Sequence, residues 1–182
     1  MIFHQLSLSG LILIEPTVFE DERGFFLERY NQKVFQSHGI NVDFVQDNHS
    51  QSVRHVLRGL HFQTPPFAQD KLVWITQGTV FDTVVDLREQ SATFGKWEGI
   101  TLSDTNRLML YIPKGFAHGF AVLGERVDFS YKVSSIYSAE HECGLIWNDP
   151  DIGIEWPVEE PILSKKDQQL PSLQCLIAQG VI

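Results

Sequence analysis

The sequence predicts an all-β sandwich or barrel, on three observations. Glycine and proline recur between short runs rich in β-branched and aromatic residues, no long segment keeps a 3.6-residue apolar period, and Thr79 to Leu87 alternates between two faces. Along the chain, a short helix is expected after Asn31, stopping at Gly39. Leu57-Arg58-Gly59-Leu60-His61-Phe62-Gln63 reads as a strand, and Thr64-Pro65-Pro66 as a loop within the domain. Lys71 to Gln77 is a strand joined through Gly78 to Thr79–Leu87. In the latter, Phe81, Thr83, Val85 and Leu87 share one face, while Val80, Asp82, Val84 and Asp86 share the other, so Asp82 is expected to look into a cavity. Leu108 to Ile112 is a further strand, ending at the tight turn Pro113-Lys114-Gly115. A last short helix is expected from Ser164, a good N-cap, interrupted at Pro171.

With 182 residues, 43% of them hydrophobic and 12% aromatic, the chain has material for a substantial core, and a single domain over 1–182 is expected. Subtracting 23 acidic from 14 basic residues gives a net charge of −9. That balance argues against general nucleic-acid or anionic-membrane binding, so any phosphate site must be built locally from a few arginines and lysines. The two cysteines, Cys143 and Cys175, lie far apart, with neither a CxxC pair nor a zinc-like histidine spacing. A reducing, cytoplasmic setting is expected. No Lys or Arg precedes Arg23, and the apolar run Leu11–Ile14 is too short for a signal core or a membrane span, so the protein reads as soluble and unexported.

The strand containing Arg58 and His61 is the most informative stretch. Three residues apart in a regular strand, they would face opposite sides; Gly59 permits a bulge that lets both reach one cavity. An anion clamp beside a proton acceptor, with Lys71 ten residues beyond the histidine, suits a phosphorylated substrate. A second histidine, His118, lies in Ile112–Phe120. Each candidate has a structural alternative. His61 could be a core histidine with both ring nitrogens bonded. Tyr131, on a predicted strand, could be a general acid or a barrel tyrosine bonded to backbone, and the residues alone favour the latter. Asp167 completes Ser-x-x-Asp with Ser164, which by pattern alone is better read as a capping box. Arg23 follows the acidic run Glu20–Glu22, a solvated charge run by default, yet Phe25 and Phe26 follow it, which suits a planar base beside a phosphate. No glycine-rich phosphate loop occurs, so bidentate arginines are the alternative for phosphate recognition.

The two β segments that each end in a histidine resemble the two motifs of the cupin superfamily, which implies a jelly-roll β-sandwich barrel with a few short peripheral helices. Metal-binding cupins supply His-x-His and a glutamate from the first segment. Here position 63 is Gln, and Phe67 and Ala68 stand where the glutamate would fall, so the expectation is a metal-free cupin with no cofactor.

Longer blocks, in register from about residue 10 to residue 170, resemble the dTDP-4-dehydrorhamnose 3,5-epimerase family. They include Phe19 to Glu28, Phe44 to Ser50, Val56 to Gln63, Ala68 to Val73, Ile112 to Phe120, Trp147-Asn148-Asp149 and Gly153 to Pro157. The resemblance implies an isomerase that epimerises carbons 3 and 5 of dTDP-4-dehydro-6-deoxy-D-glucose through an enolate. In this reading His61 is the base, Asp167 orients it, Tyr131 is the acid on the opposite face and Lys71 stabilises the enolate, which reverses the readings of Tyr131 and Asp167 from pattern alone. It further implies that Arg23, Glu28, Gln46, Asn48 and Arg58 hold the nucleotide, and that His118, Glu142 and Lys166 contact substrate. A homodimer that exchanges N-terminal strands is also implied, with Arg23 and Glu28 serving the neighbouring subunit. Two departures stand out: Trp74, where the family often has Arg, and the less typical Lys132–Ile136. The competing readings are a carbon-3-only epimerase, a ketoisomerase on the same nucleotide sugar, a catalytically silent binding cupin, and a metal-dependent oxygenase that lacks ligands.

Overall fold

The computed structural model describes residues 1–182. In chain order the strands are β1 (Ile2–Gln5), β2 (Ile12–Glu15), β3 (Val18–Asp21), β4 (Gly24–Leu27), β5 (Gln46–Val53), β6 (Leu57–Gln63) and β7 (Lys71–Gln77). They continue with β8 (Thr79–Asp86), β9 (Trp97–Ser103), β10 (Met109–Ile112), β11 (Phe116–Val122), β12 (Arg126–Val133) and β13 (Glu142–Gly144). Two short helices, α1 (Gln32–Ser37) and α2 (Leu173–Ala178), accompany them, and none is long and apolar enough to cross a membrane.

The strands form a six-stranded sheet in the order β1-β2-β10-β7-β12-β5 and a five-stranded sheet in the order β13-β6-β11-β8-β9, with β3 and β4 as a separate hairpin. All the strand pairings are antiparallel. The central core is the interior of the sandwich: Val73 and Ile75 of β7 and Phe129 of β12 meet Val80 and Val84 of β8 and Phe116 and Phe120 of β11. Two smaller cores cover the outer faces. Leu60, Val85 and Ala117 pack under Leu173 and Leu176 of α2, and Ile14, Leu72 and Met109 pack under Phe35 of α1. A jelly-roll sandwich with short peripheral helices is therefore what the chain forms.

The alternation read along Thr79–Leu87 decides this layering. Val80, Asp82, Val84 and Asp86 point inward and are sealed from solvent, while Val85 packs on the outer face. Asp86 accepts from Arg88 Nε at 2.8 Å, Ser91 Oγ at 2.6 Å and Thr93 Oγ1 at 2.6 Å. Burial pushes its carboxyl upward, but these donors win and hold it at about 2. The folded value lies below the unfolded one, so this stabilisation is present above the ordinary carboxylate range and lost as pH falls through about 2. Asp86→Ala leaves Arg88 and two hydroxyls without their acceptor, with an expected loss of about 3 kcal/mol in urea unfolding at neutral pH and a smaller loss in acid.

Helix α1 begins after Asn31 and ends before Gly39, as read from the sequence. The helix expected from Ser164 is not a single helix. Ser164 Oγ accepts from the Asp167 backbone N–H at 3.0 Å, but only a 3₁₀ turn follows, over Asp167–Gln169. The pyrrolidine of Pro171 forces Leu170 into an extended conformation (φ −62°, ψ 144°), and α2 starts afresh from Ser172, whose hydroxyl accepts from Cys175 N–H.

Candidate active site

Between the sheets opens a cavity of about 510 Å³, lined from β6, β7, β11, β12, β13 and the Ile162–Asp167 turn. Arg58 and His61 both reach it, and the register explains how. His118 pairs with His61 and Phe120 with Arg58, so three steps on β6 oppose two on β11. The extra residue is a bulge that returns both side chains to one face. It depends on glycine: Gly59 has φ +123°, and a Cβ there would lie 2.6 Å from Gly119 Cα.

His61 Nε2 lies 2.7 Å from Asp167 Oδ1. Burial pushes the Asp167 carboxyl upward, but the bonds from His61, Ser164 and the Gly59 N–H prevail and hold it below the usual range. An ionised carboxylate only accepts, so the His61 proton sits on Nε2 and Nδ1 carries a free lone pair. Thus Ser164 caps one N–H of the turn, while the Asp167 carboxylate goes to the histidine and not back to the Ser164 N–H, so only half of the capping box forms.

Lys71 enters from the other sheet. It is buried, its Nζ donates to the His61 carbonyl at 3.3 Å, and burial brings it down to about 8 against the attraction of Asp82 and Glu142. Tyr131, two strand positions from Phe129 and on that same sheet, also lines the cavity. Its hydroxyl has no protein partner, which removes the backbone-bonded barrel tyrosine. Burial raises the phenol above its ordinary value, Glu142 adds to this, and the Arg58 cation opposes it, so it is protonated at neutral pH. Phe129 stacks on Phe120 at 4.3 Å, giving the cavity an aromatic floor.

The Arg58 guanidinium is braced by Ser52 Oγ at 2.8 Å and the Gln51 carbonyl at 3.1 Å, which leaves Nη1 free for an anion. His118 is held by Asp82, as expected for a carboxylate on the inner face of β8, although Asp82 lies behind the cavity wall and does not line it. At the cavity edge Glu142 accepts from the Tyr137 hydroxyl at 2.5 Å and pairs with Lys166. Burial pushes Glu142 upward, but Lys166 and Tyr137 more than offset this and hold it low.

Four of the predicted residues are not brought to this cavity. Arg23 is 85% exposed and paired with Asp21 in the β3–β4 turn, and Glu28 is exposed and accepts from Asn31. Gln46 and Asn48 bond to each other at 2.9 Å on β5, beyond the lining. Gln46 is nevertheless one hydrogen bond from it, through the Tyr137 N–H at 2.9 Å. Sequence reasoning missed Tyr137, Gln69, Phe120 and Phe129 as lining residues. Alternation outward from Tyr131 would have found Phe129; nothing local marks Tyr137.

Gln63, where metal cupins carry histidine, donates to the carbonyls of Phe67 and Ile136 and accepts from Ser138 N–H, so it braces loops. No three His, Cys, Asp or Glu side chains converge to hold a metal ion. Both departures from the family pattern avoid the cavity: Trp74 packs on the outer face of β7, and Ile136 contributes only its carbonyl to Gln63.

A jelly-roll sandwich whose interlayer cavity presents a carboxylate-bound imidazole, an ammonium and a phenol is a cupin-like enzyme of the isomerase class. More narrowly, the chain belongs to the dTDP-4-dehydrorhamnose 3,5-epimerase family, whose sequence model matches residues 5–175. It is 55% identical over 162 residues to the dTDP-4-dehydrorhamnose 3,5-epimerase of Shigella flexneri, covering 88% of this chain and 90% of that one. The crystal structure of the Bacillus anthracis enzyme with TDP and pyrophosphate bound superposes with a TM-score of 0.93 at 47% identity, over 94% of this chain and 99% of that one. A Legionella pneumophila dTDP-6-deoxy-D-glucose-3,5-epimerase in complex with dTDP-4-keto-L-rhamnose gives a TM-score of 0.94 at 43% identity, over 98% and 95%.

Proposed function

We propose that this chain epimerises carbons 3 and 5 of dTDP-4-dehydro-6-deoxy-D-glucose, giving dTDP-4-dehydro-L-rhamnose by acid–base chemistry carried by its own side chains. The observation that carries the reading is the disposition of the base and the acid. His61 stands on the five-stranded sheet and Tyr131 on the six-stranded sheet, so a sugar ring lying between the layers meets them from opposite faces.

His61 Nδ1 takes the proton alpha to the ketone, the C–H electron pair moves into the enolate, and the negative charge collects on the ketone oxygen. The Lys71 ammonium faces that charge, and Asp167 stabilises the imidazolium that forms. Tyr131 then gives its hydroxyl proton to the same carbon from the other face, the enolate collapses to the ketone, and the configuration is inverted; exchange with water returns the imidazolium and the phenolate to their starting forms before the second carbon reacts. Arg58, with Nη1 free, takes the diphosphate.

The exposed β3–β4 hairpin supports a homodimer with exchanged N-terminal strands. Phe19 and Phe26 on it are 62% and 69% exposed, and the exposed Arg23, bonded only to Asp21 of its own turn, would meet a neighbour's nucleotide beside Arg58. Residues 1–182 then act as one catalytic domain, and we assign it to the cytoplasm, where Cys143 and Cys175 stay the free thiols they are here.

Supplying the purified protein with the keto sugar alone tests the reading: the L-rhamno product is expected, and unchanged substrate would overturn it. Tyr131→Phe keeps the ring and removes only the proton, so kcat should fall about 10²-fold or more with dTDP affinity retained. Equal activity in the variant would remove Tyr131 from the mechanism.

A further inference from the structure

A second histidine–carboxylate pair stands beside the first. His118 lies directly across the β6–β11 ladder from His61, and its Nε2 is 3.0 and 2.9 Å from the two oxygens of Asp82. Asp82 is wholly sealed from solvent, and nothing else in the chain bonds its carboxylate. Both oxygens converge on one nitrogen, so the proton belongs on Nε2. That leaves Nδ1, which has no partner and is not closed off from solvent, as the atom through which His118 lines the cavity.

We propose that Asp82 is a positioning residue of this site, holding His118 with its Nε2–H on the carboxylate and its unprotonated Nδ1 toward the cavity beside Lys71. Held this way, His118 accepts a hydrogen bond from a sugar hydroxyl instead of donating one. A carboxylate that fixes an imidazole tautomer costs nothing at the moment of reaction, because the geometry exists before substrate arrives. The inference deepens the epimerase reading and rests on it for the identity of the sugar.

Asp82 has a second effect, on charge. The groups facing Lys71 are Asp82 from β8, Glu142 from β13, His118 from β11 and His61 from β6, while its ladder neighbours Ile112 and Val133 are apolar. Burial pushes both Lys71 and His118 toward their neutral forms, and Asp82 opposes this in each. It thereby keeps the ammonium charged without protonating the histidine.

Imidazole ¹⁵N NMR of the wild-type protein reads the tautomer directly, with the His118 signal assigned through His118→Gln. The Nε2–H form is expected; the Nδ1–H form or an imidazolium at neutral pH would overturn the proposal. In Asp82→Asn, the alkaline limb of the kcat/KM profile should move to lower pH by about one unit, with dTDP affinity unchanged. A limb that stays in place, or dTDP affinity lost together with activity, would make Asp82 merely structural. Failure of the wild type to turn over the keto sugar would overturn the epimerase reading alone, because the tautomer measurement needs no substrate.

Discussion

Replacing His61 with glutamine should lower kcat by about 10²–10⁴-fold, with dTDP affinity within a few-fold of the parent. Glutamine places its amide nitrogen where Nε2 stood and can still donate to Asp167, so the buried carboxylate keeps a partner and the fold is spared, while the basic lone pair of Nδ1 is gone. The expected size follows from the task. A proton alpha to a ketone is far too weakly acidic to leave unaided, and His61 Nδ1 is an unprotonated nitrogen that the buried, ionised Asp167 holds ready on that face. Steady-state kinetics with calorimetric titration of dTDP separates the two quantities. A variant that turned over at the parental rate would place the base elsewhere, and one that lost dTDP binding would assign His61 to binding.

Lys71→Met should lower kcat by about 10²–10³-fold, the loss typical when a donor aimed at a developing oxyanion is removed. The same residue sets the alkaline limit of the wild type. Lys71 works protonated, and burial brings it down to about 8, so kcat/KM should fall as pH rises through that value. The effect on stability has the opposite sense. A lysine depressed in the folded state gives the unfolded chain more bound protons between about 8 and its ordinary 10.5, so its contribution to stability improves as pH rises. Below pH 8 the charged side chain is a cost that methionine does not incur, and Lys71→Met should therefore unfold no sooner than the parent in urea at neutral pH. An alkaline limb that persists unchanged in the variant would belong to another group.

Both effects come from residues whose importance local sequence could only partly announce. The inward alternation of β8 was plain, because a period of two with a glycine before it leaves little choice. So was the shared face of Arg58 and His61, since Gly59 can bulge where no other residue fits against Gly119. Asp167 could not be resolved from its neighbours. Ser-x-x-Asp is satisfied by the backbone N–H donating to Ser164, while the carboxylate partner lies 106 residues away, a contact that only the closed sandwich creates. The same local pattern overstated the last helix, because a cap signal at Ser164 carries no information about the extended Leu170 imposed by Pro171. Arg23 and Glu28 stayed ambiguous for another reason: an acidic run beside aromatic residues reads alike on a solvated hairpin and on a hairpin waiting for a second subunit. The roles proposed for them come only from the family resemblance, and within one chain they stand away from the cavity.

Two-sided proton exchange at two carbons leaves an isotopic record, which incubation with dTDP-4-dehydro-6-deoxy-D-glucose in D₂O, followed by NMR, would read. Deuterium at both carbon 3 and carbon 5 of an L-rhamno product is the predicted result. Label at carbon 3 alone would contradict double epimerisation, and the absence of exchange at either carbon would contradict the acid–base account as a whole.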